Sequence, residues 1–255
     1  MNRKITDWAG RRVWVIGAST GIGAETARLL LARGARVALS ARGQAALESV
    51  SDGHDHALPL ALDITDHETI RCTRDKIMAQ WGGLDLVLIV AGGYNEMRAD
   101  TFNLEAANRL VDLNLRGVLN CLDVVLPVLL RQQAGGIGIV SSVAGYRGLP
   151  KALIYGPTKA ALINLAESLY LDVRASGIGV YLINPGFVET PLTAHNNFPM
   201  PAIISAAAAA LEIVAGIEAG RFHIHFPRRF TNWLRLARLL PYRLYFSLVH
   251  KVTGL

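Results

Sequence analysis

Tyr155 and Lys159 stand four positions apart in Tyr155-Gly-Pro-Thr-Lys159. At the start of a helix that spacing puts both side chains on one face, so a phenol and an ammonium can share one site. Pro157 fits the first turn of such a helix, where its missing N–H costs little. A phenol titrating near pH ~10 is a poor base at neutrality, and an adjacent cation favours its phenolate. The pair could therefore move a proton, although by itself it also reads as a surface tyrosine and a solvated lysine. Ser142, in Ser141-Ser142-Val-Ala-Gly145, ends a strand-like run, and ligands of open α/β sheets bind at the carboxyl ends of strands. Asn114 is a polar residue inside an otherwise amphipathic helical stretch, and Asn184-Pro-Gly186 closes another strand with a break. Gly17, Ser19, Thr20, Gly21, Ile22 and Gly23 form a turn whose glycine spacing is GxxxGxG. Between a strand and a helix, such a turn brings backbone N–H groups against a pyrophosphate at the helix amino end.

These residues need a scaffold, and the patterning supplies one. Runs 12–17, 35–41, 58–62, 84–91, 136–142, 178–183 and 222–226 read as strands. Residues 21–33, 104–131 and 154–175 read as helices, and Ala206 to Ala210 favours helix. Near-continuous apolar strands alternating with helices predict a doubly wound parallel sheet covered on both faces, a Rossmann-like α/β fold. One domain is expected over 1–227, followed by a helical tail over 228–255.

Composition agrees with this reading. The 255 residues are 51% hydrophobic and 18% charged, which excludes a disordered chain. Cys72 and Cys121 form no CxxC, so neither a disulfide scaffold nor a zinc cluster is expected; Cys121 reads as core, and Cys72 is read the same way. His223 and His225 share a face of one strand but have no third ligand, so no metal is expected. Met1 to Arg12 is polar and basic, no signal peptide is evident, and no run approaches ~18 apolar residues. A cytoplasmic location follows as the expectation.

The motifs and their order resemble the short-chain dehydrogenase/reductase family over residues 10 to 227. The likeness rests on the glycine turn, Asp63 in Leu62-Asp63-Ile64-Thr65, Ala91-Gly92, Asn114, Ser142, Tyr155 with Lys159, and Pro185-Gly186-Phe-Val-Glu-Thr190. The resemblance implies a hydride-transferring oxidoreductase that interconverts carbonyls and alcohols. In it Tyr155 is the acid/base, and Lys159 lowers its pKa and holds the nicotinamide ribose. Ser142 binds the substrate oxygen, and Asn114 bends its helix and anchors a water leading to solvent. It also implies cofactor contacts from Asp63, Ile64, Ala91, Gly92, Pro185, Gly186, Val188 and Thr190. Two departures stand out: Ile16 where the family usually has Thr, and Ile89 with Val90 where it usually has two Asn. A looser or differently supported cofactor loop is expected, with no catalytic group missing.

The second strand ends Ser40-Ala41-Arg42. NAD-preferring relatives carry an acid at the place of Ala41. Its absence, with Arg42 next, favours NADP(H) over NAD(H). Val143, Tyr146, Leu149, Phe187, Leu192, Phe198 and Met200 are candidate liners of an apolar substrate site, with Arg147 as the available cation. The alternative function is a catalytically idle nicotinamide-binding regulator or scaffold that docks through its tail.

That tail holds the charge. Arg221, Arg228, Arg229, Arg235, Arg238, Arg243 and Lys251 face no acid after residue 220, while the preceding segment is near neutral. Phe230, Trp233, Leu234, Ala237 and Leu240 recur at helical spacing, Pro241 breaks the helix, and Leu244, Tyr245, Leu248, Val249 and Val252 form a second stripe. Three readings fit: a lid on its own domain, a contact with a second subunit, or a peripheral membrane contact. Protein packing comes first, and nucleic acid is not expected. Family relatives pair through two long helices and the last strand, so a homodimer or homotetramer is expected, with the tail obstructing the second interface.

Overall fold

The computed structural model describes residues 2–194 and 196–254. Met1, His195 and Leu255, which fall inside the expected spans 1–227 and 228–255, lie outside the described residues. Seven parallel strands form one sheet: β1 (Arg12–Ile16), β2 (Arg36–Ala41), β3 (Ala57–Ala61), β4 (Leu86–Ile89), β5 (Gly135–Val140), β6 (Ile178–Pro185) and the last strand, β9 (His223–Phe226). Between β6 and β9, β7 (Val188–Glu189) and β8 (Ile204–Ser205) pair as a separate short ribbon. The sheet order β3-β2-β1-β4-β5-β6-β9 reverses direction between β1 and β4, so a crevice opens there at the carboxyl ends of the strands.

Helices cover both faces. α1 (Gly21–Ala32), α2 (Gln44–Ser51) and α7 (Ala206–Glu218) bury Leu30, Leu47 and Ile213 with Val15, Leu39 and Ile183 on one side. α3 (His67–Trp81), α4 (Leu104–Val111), α5 (Gly117–Gln132) and α6 (Tyr155–Val173) lie on the other. There Ile77, Val125 and Leu162 meet Trp14, Ile89 and Ile139. The expected helix 104–131 is present but not uniform, since a π-helical turn at Asp112–Arg116 joins α4 to α5. Leu104–Gln132 has the length and mean hydropathy (1.6) of a membrane span, which amends the expectation that no segment approaches one. Val118, Cys121, Leu122, Val125, Val128 and Leu129 are nevertheless buried in the core, so this is a core helix.

Strand limits moved where side chains replace ladder partners. β4 starts at Leu86, because Asp85 takes the Arg12 guanidinium and backbone N–H, while Gln132 accepts from the Leu84 amide. β5 stops at Val140, and Ser141 and Ser142 begin the loop above it. Cys72 is exposed on α3, contrary to its expected place in the core; Cys121 is buried.

α8 (Arg228–Ala237) and α9 (Tyr242–Thr253) follow β9, and their stripes are only partly buried. Phe230 and Leu234 pack on the domain, and Tyr245 is buried, whereas Trp233, Leu244, Leu248 and Val252 face outward. Packing against one small patch leaves part of each stripe uncovered.

Candidate active site

Three strand ends build the crevice. After β1 the chain turns through Gly17 to Gly23 into α1. A Cβ on Gly17 would lie 2.4 Å from the Ala91 nitrogen, and one on Gly23 would lie 2.0 Å from the Gly17 carbonyl oxygen, so the packing here admits only glycine. Thr20 precedes α1 without capping it by its side chain, and the first turn carries no acid. The amides there are therefore left for an anion. A Cβ on Gly21 would reach within 2.9 Å of the Thr190 methyl, which places Thr190 at the same loop.

The departures at Ile16, Ile89 and Val90 are accommodated differently from a polar brace. Ile16 and Ile89 are register partners in the buried sheet, and the Ile16 carbonyl accepts from both Val90 (2.8 Å) and Ala91 (2.9 Å). The Ser40 carbonyl likewise accepts from Gly17 (2.7 Å) and Ala18 (3.0 Å). Backbone bonds and apolar packing hold the loop where polar side chains would otherwise brace it.

Asn114 lies in the π-helical turn and is fully buried. Its Oδ1 accepts from the Gly93 amide at 2.7 Å, and its Nδ2 donates to the Gly93 carbonyl (3.0 Å) and to Thr158 Oγ1 (3.2 Å). Those bonds tie the loop after β4 to α6. A point one bond off Gly92 lies 3.2 Å from both Asn114 Oδ1 and Lys159 Nζ, so both groups border one small space.

Tyr155 and Lys159 occupy the first and second turns of α6. Lys159 is 4% exposed, and Nζ donates to the Val140 carbonyl at 3.0 Å while lying 5.8 Å from the Tyr155 ring centroid. No carboxylate pairs with it among the described residues, and burial pushes it down to about 8. Ser141 Oγ donates to the Lys159 carbonyl at 2.7 Å, fixing α6 against the loop that carries Ser142. Burial raises the Tyr155 phenol, and a hydrogen bond with the Ser142 hydroxyl pulls it the other way. Ser142 Oγ also accepts from the Ala144 amide at 3.1 Å.

The other expected positions divide. Arg42 is exposed at the end of β2, and its charge helps hold Asp63 below the usual carboxylate range, after the larger effect of the Thr65 amide. Ile64 is buried against Gly117, and its carbonyl accepts from Asn120 Nδ2 at 3.2 Å. Pro185 ends β6, Gly186 donates to the Phe226 carbonyl at 2.7 Å, and Val188 is buried in β7. Phe187 lies 6.0 Å from Phe198 and 5.6 Å from Phe230, ring to ring, whereas Leu192 is exposed. Tyr146 is buried with its hydroxyl 3.0 Å from His223 Nε2, and Arg147 turns away from the crevice toward the tail.

Several participants carried no signal in the sequence. Tyr94 meets Tyr155 edge-on at 5.2 Å, and Thr158 links Asn114 to the Tyr155 carbonyl. His223 and His225 join a polar network instead of standing alone. Arg235 donates to His225 Nε2 (3.0 Å), so the proton sits on Nδ1 and is given to Thr231 (2.7 Å). Burial pushes both histidines down to about 4, which keeps them neutral near pH 7.

The short chain dehydrogenase family matches residues 11–199. An oxidoreductase of Myxococcus xanthus, itself named as uncharacterized, is 35% identical over 91% of this chain and 93% of that protein. A cis-4-hydroxycyclohexanecarboxylate dehydrogenase of Sinomonas cyclohexanicum is 35% identical over 80% of this chain and 82% of its own. Among solved structures, a short chain dehydrogenase of Burkholderia cenocepacia in complex with NADP has a TM-score of 0.84 at 24% identity, covering 96% of this chain and 99% of that one. The chain belongs to the short-chain dehydrogenase/reductase family of NAD(P)-binding oxidoreductases.

Proposed function

We propose that this chain interconverts a carbonyl and an alcohol on a largely apolar substrate, with NADP(H) as its cofactor. One observation carries the reading. A buried ammonium, Lys159, stands beside the Tyr155 phenol, and no carboxylate among the described residues neutralises it. A cation placed so is matched by the phenolate that forms when Tyr155 gives up its proton.

The glycine turn fits a dinucleotide, since its close backbone packing and uncapped helix start leave room and N–H donors for a pyrophosphate. In this reading Gly17, Ser19, Thr20, Gly21, Ile22 and Gly23 hold that group, and Arg42 takes a 2′-phosphate. Asp63 and the Ile64 backbone flank the adenine. Ala91, Gly92, Pro185, Gly186, Val188 and Thr190 line the nicotinamide end, and Lys159 takes the ribose hydroxyls. The bound reduced nicotinamide supplies the hydride to the carbonyl carbon.

Tyr155 donates its hydroxyl proton to the carbonyl oxygen, and Ser142 hydrogen-bonds that oxygen as charge develops on it. Burial keeps the phenol protonated before reaction, which suits this role. Lys159 stabilises the phenolate left behind, and Asn114, whose Oδ1 borders the same small space as Lys159 Nζ, would anchor a water that returns the proton from solvent. Phe187, Phe198 and Phe230 give the substrate side an apolar wall, and no Lys or Arg occurs between Phe187 and Gly220. A cytoplasmic homodimer or homotetramer belongs to the same reading.

Titration with NADPH and NADH, followed by cofactor fluorescence, tests the first half, with selective binding of NADPH expected. A screen of apolar ketones and aldehydes tests the second. Tyr155→Phe is expected to keep nucleotide affinity and lose turnover, and wild-type kcat in that variant would overturn the assignment.

A further inference from the structure

The two closing helices are fixed to the domain at a few points and otherwise bare. Phe230 packs on Phe187, Thr231 is buried, and the Tyr245 hydroxyl donates to the Gly148 carbonyl at 2.7 Å. Arg147 donates to the carbonyls of Ala237 (3.2 Å), Arg238 (3.3 Å) and Leu240 (2.5 Å), with its guanidinium 4.0 Å from the Tyr245 ring centroid. The tail is thus held on the domain at these points.

Trp233 and Leu236 on α8, Leu239 in the turn after it, and Leu244, Phe246 and Val252 on α9 are each more than half exposed, with Leu239 at 78% and Val252 at 76%. Six large apolar side chains more than half exposed within twenty residues are a denser group than elsewhere on the surface, where Phe102 with Leu104 is the nearest equivalent, and such patches mark interaction sites. Arg228, Arg229, Arg243 and Lys251 are exposed on the same two helices, and no ion pair involves them among the described residues.

We propose that the exposed apolar and basic side chains of α8, the turn after it and α9 dock on the surface of an anionic phospholipid bilayer. Trp, Phe and Leu beside Arg and Lys, with no acid anywhere in the tail, match the interfacial region, where rings and aliphatic chains enter the acyl boundary and cations meet phosphates. A second copy docking tail to tail would set six cations against six. The rest of the chain, close to neutral, offers no acidic excess as counterpart. The docking needs neither bound nucleotide nor turnover, so it stands apart from the catalytic reading.

The test is co-sedimentation of the full chain with phosphatidylcholine vesicles, with and without phosphatidylglycerol. At least tenfold stronger binding to the anionic vesicles is expected, falling as salt rises. Each basic residue at such a surface contributes about fivefold, so Arg229→Gln with Arg243→Gln should weaken binding about 25-fold. Trp233→Ala with Leu239→Ala, at positions that support no core, should reduce it as well while thermal unfolding stays unchanged. Equal sedimentation with both vesicle types, or undiminished binding by both double variants, overturns the proposal. So does a dimer that the Trp233/Leu239 variant converts to monomer, because a second copy would then cover these side chains.

Discussion

Lys159→Met should make the protein inactive and more stable at once. In the unfolded chain lysine titrates near its ordinary value of 10.5, and burial in the fold holds it to about 8. Below pH 8 both states carry the proton, and the fold bears the full cost of a desolvated ammonium, about 3 kcal/mol at ~1.4 kcal/mol per pKa unit. Methionine removes that cost with a side chain of similar length. It also leaves the Val140 carbonyl without its 3.0 Å donor, which costs about 1 kcal/mol. The variant should therefore gain about 2 kcal/mol at pH 7. Between pH 8 and 10.5 the unfolded chain binds more protons than the folded one, so wild-type stability rises with pH and the gap should close by about pH 9.5. Urea unfolding of both chains at pH 7 and 9.5, without nucleotide, measures this. A variant no more stable than wild type at pH 7, or a gap independent of pH, would refute the view that Lys159 is an uncompensated buried cation.

Other substitutions probe separate parts of the site. Arg42→Ala should weaken NADPH about tenfold or more in a binding titration while changing NADH little, since charge-assisted bonds to a phosphate contribute ~1.5–3 kcal/mol; equal losses would remove Arg42 from phosphate recognition. Gly23→Ala puts a methyl 2.0 Å from the Gly17 carbonyl oxygen, so a loss of about 3 kcal/mol in stability and of nucleotide binding is expected. Unchanged affinity there would mean that the turn is not the pyrophosphate site. Arg147→Ala removes three carbonyl contacts and the stacking on Tyr242 and Tyr245, about 2 kcal/mol of tail docking. Limited proteolysis should then cut within residues 228–254 while the core survives, and a tail as resistant as in wild type would contradict the clamp.

Much of this architecture could be read from local signals. The glycine turn, the strand ends and the Tyr155/Lys159 spacing each depend on short-range geometry, and all fall at the crevice between β1 and β4. What escaped depended on contacts between distant segments. Tyr94 reaches Tyr155 from a different loop, and Thr158 matters only because the π-helical turn brings Asn114 to it. Arg147 read as a possible anion clamp because its sequence neighbours border the crevice, yet three carbonyls nearly a hundred residues later claim it. The tail stripes were periodic, but periodicity gives the apolar side of a helix without saying how much of it the domain can cover.

The Arg147 clamp also bears on descent. Its acceptors are carbonyls released at the end of α8, so a chain that stops after β9 has nothing for a guanidinium at this position to bind. The arginine and the tail are then one heritable unit. Chains that carry the two closing helices should keep a carbonyl-capping cation five residues after the strand-end serine. Those that have lost the helices should let that position drift, so co-variation across descendants would record the tail's history at a site one loop away from the chemistry.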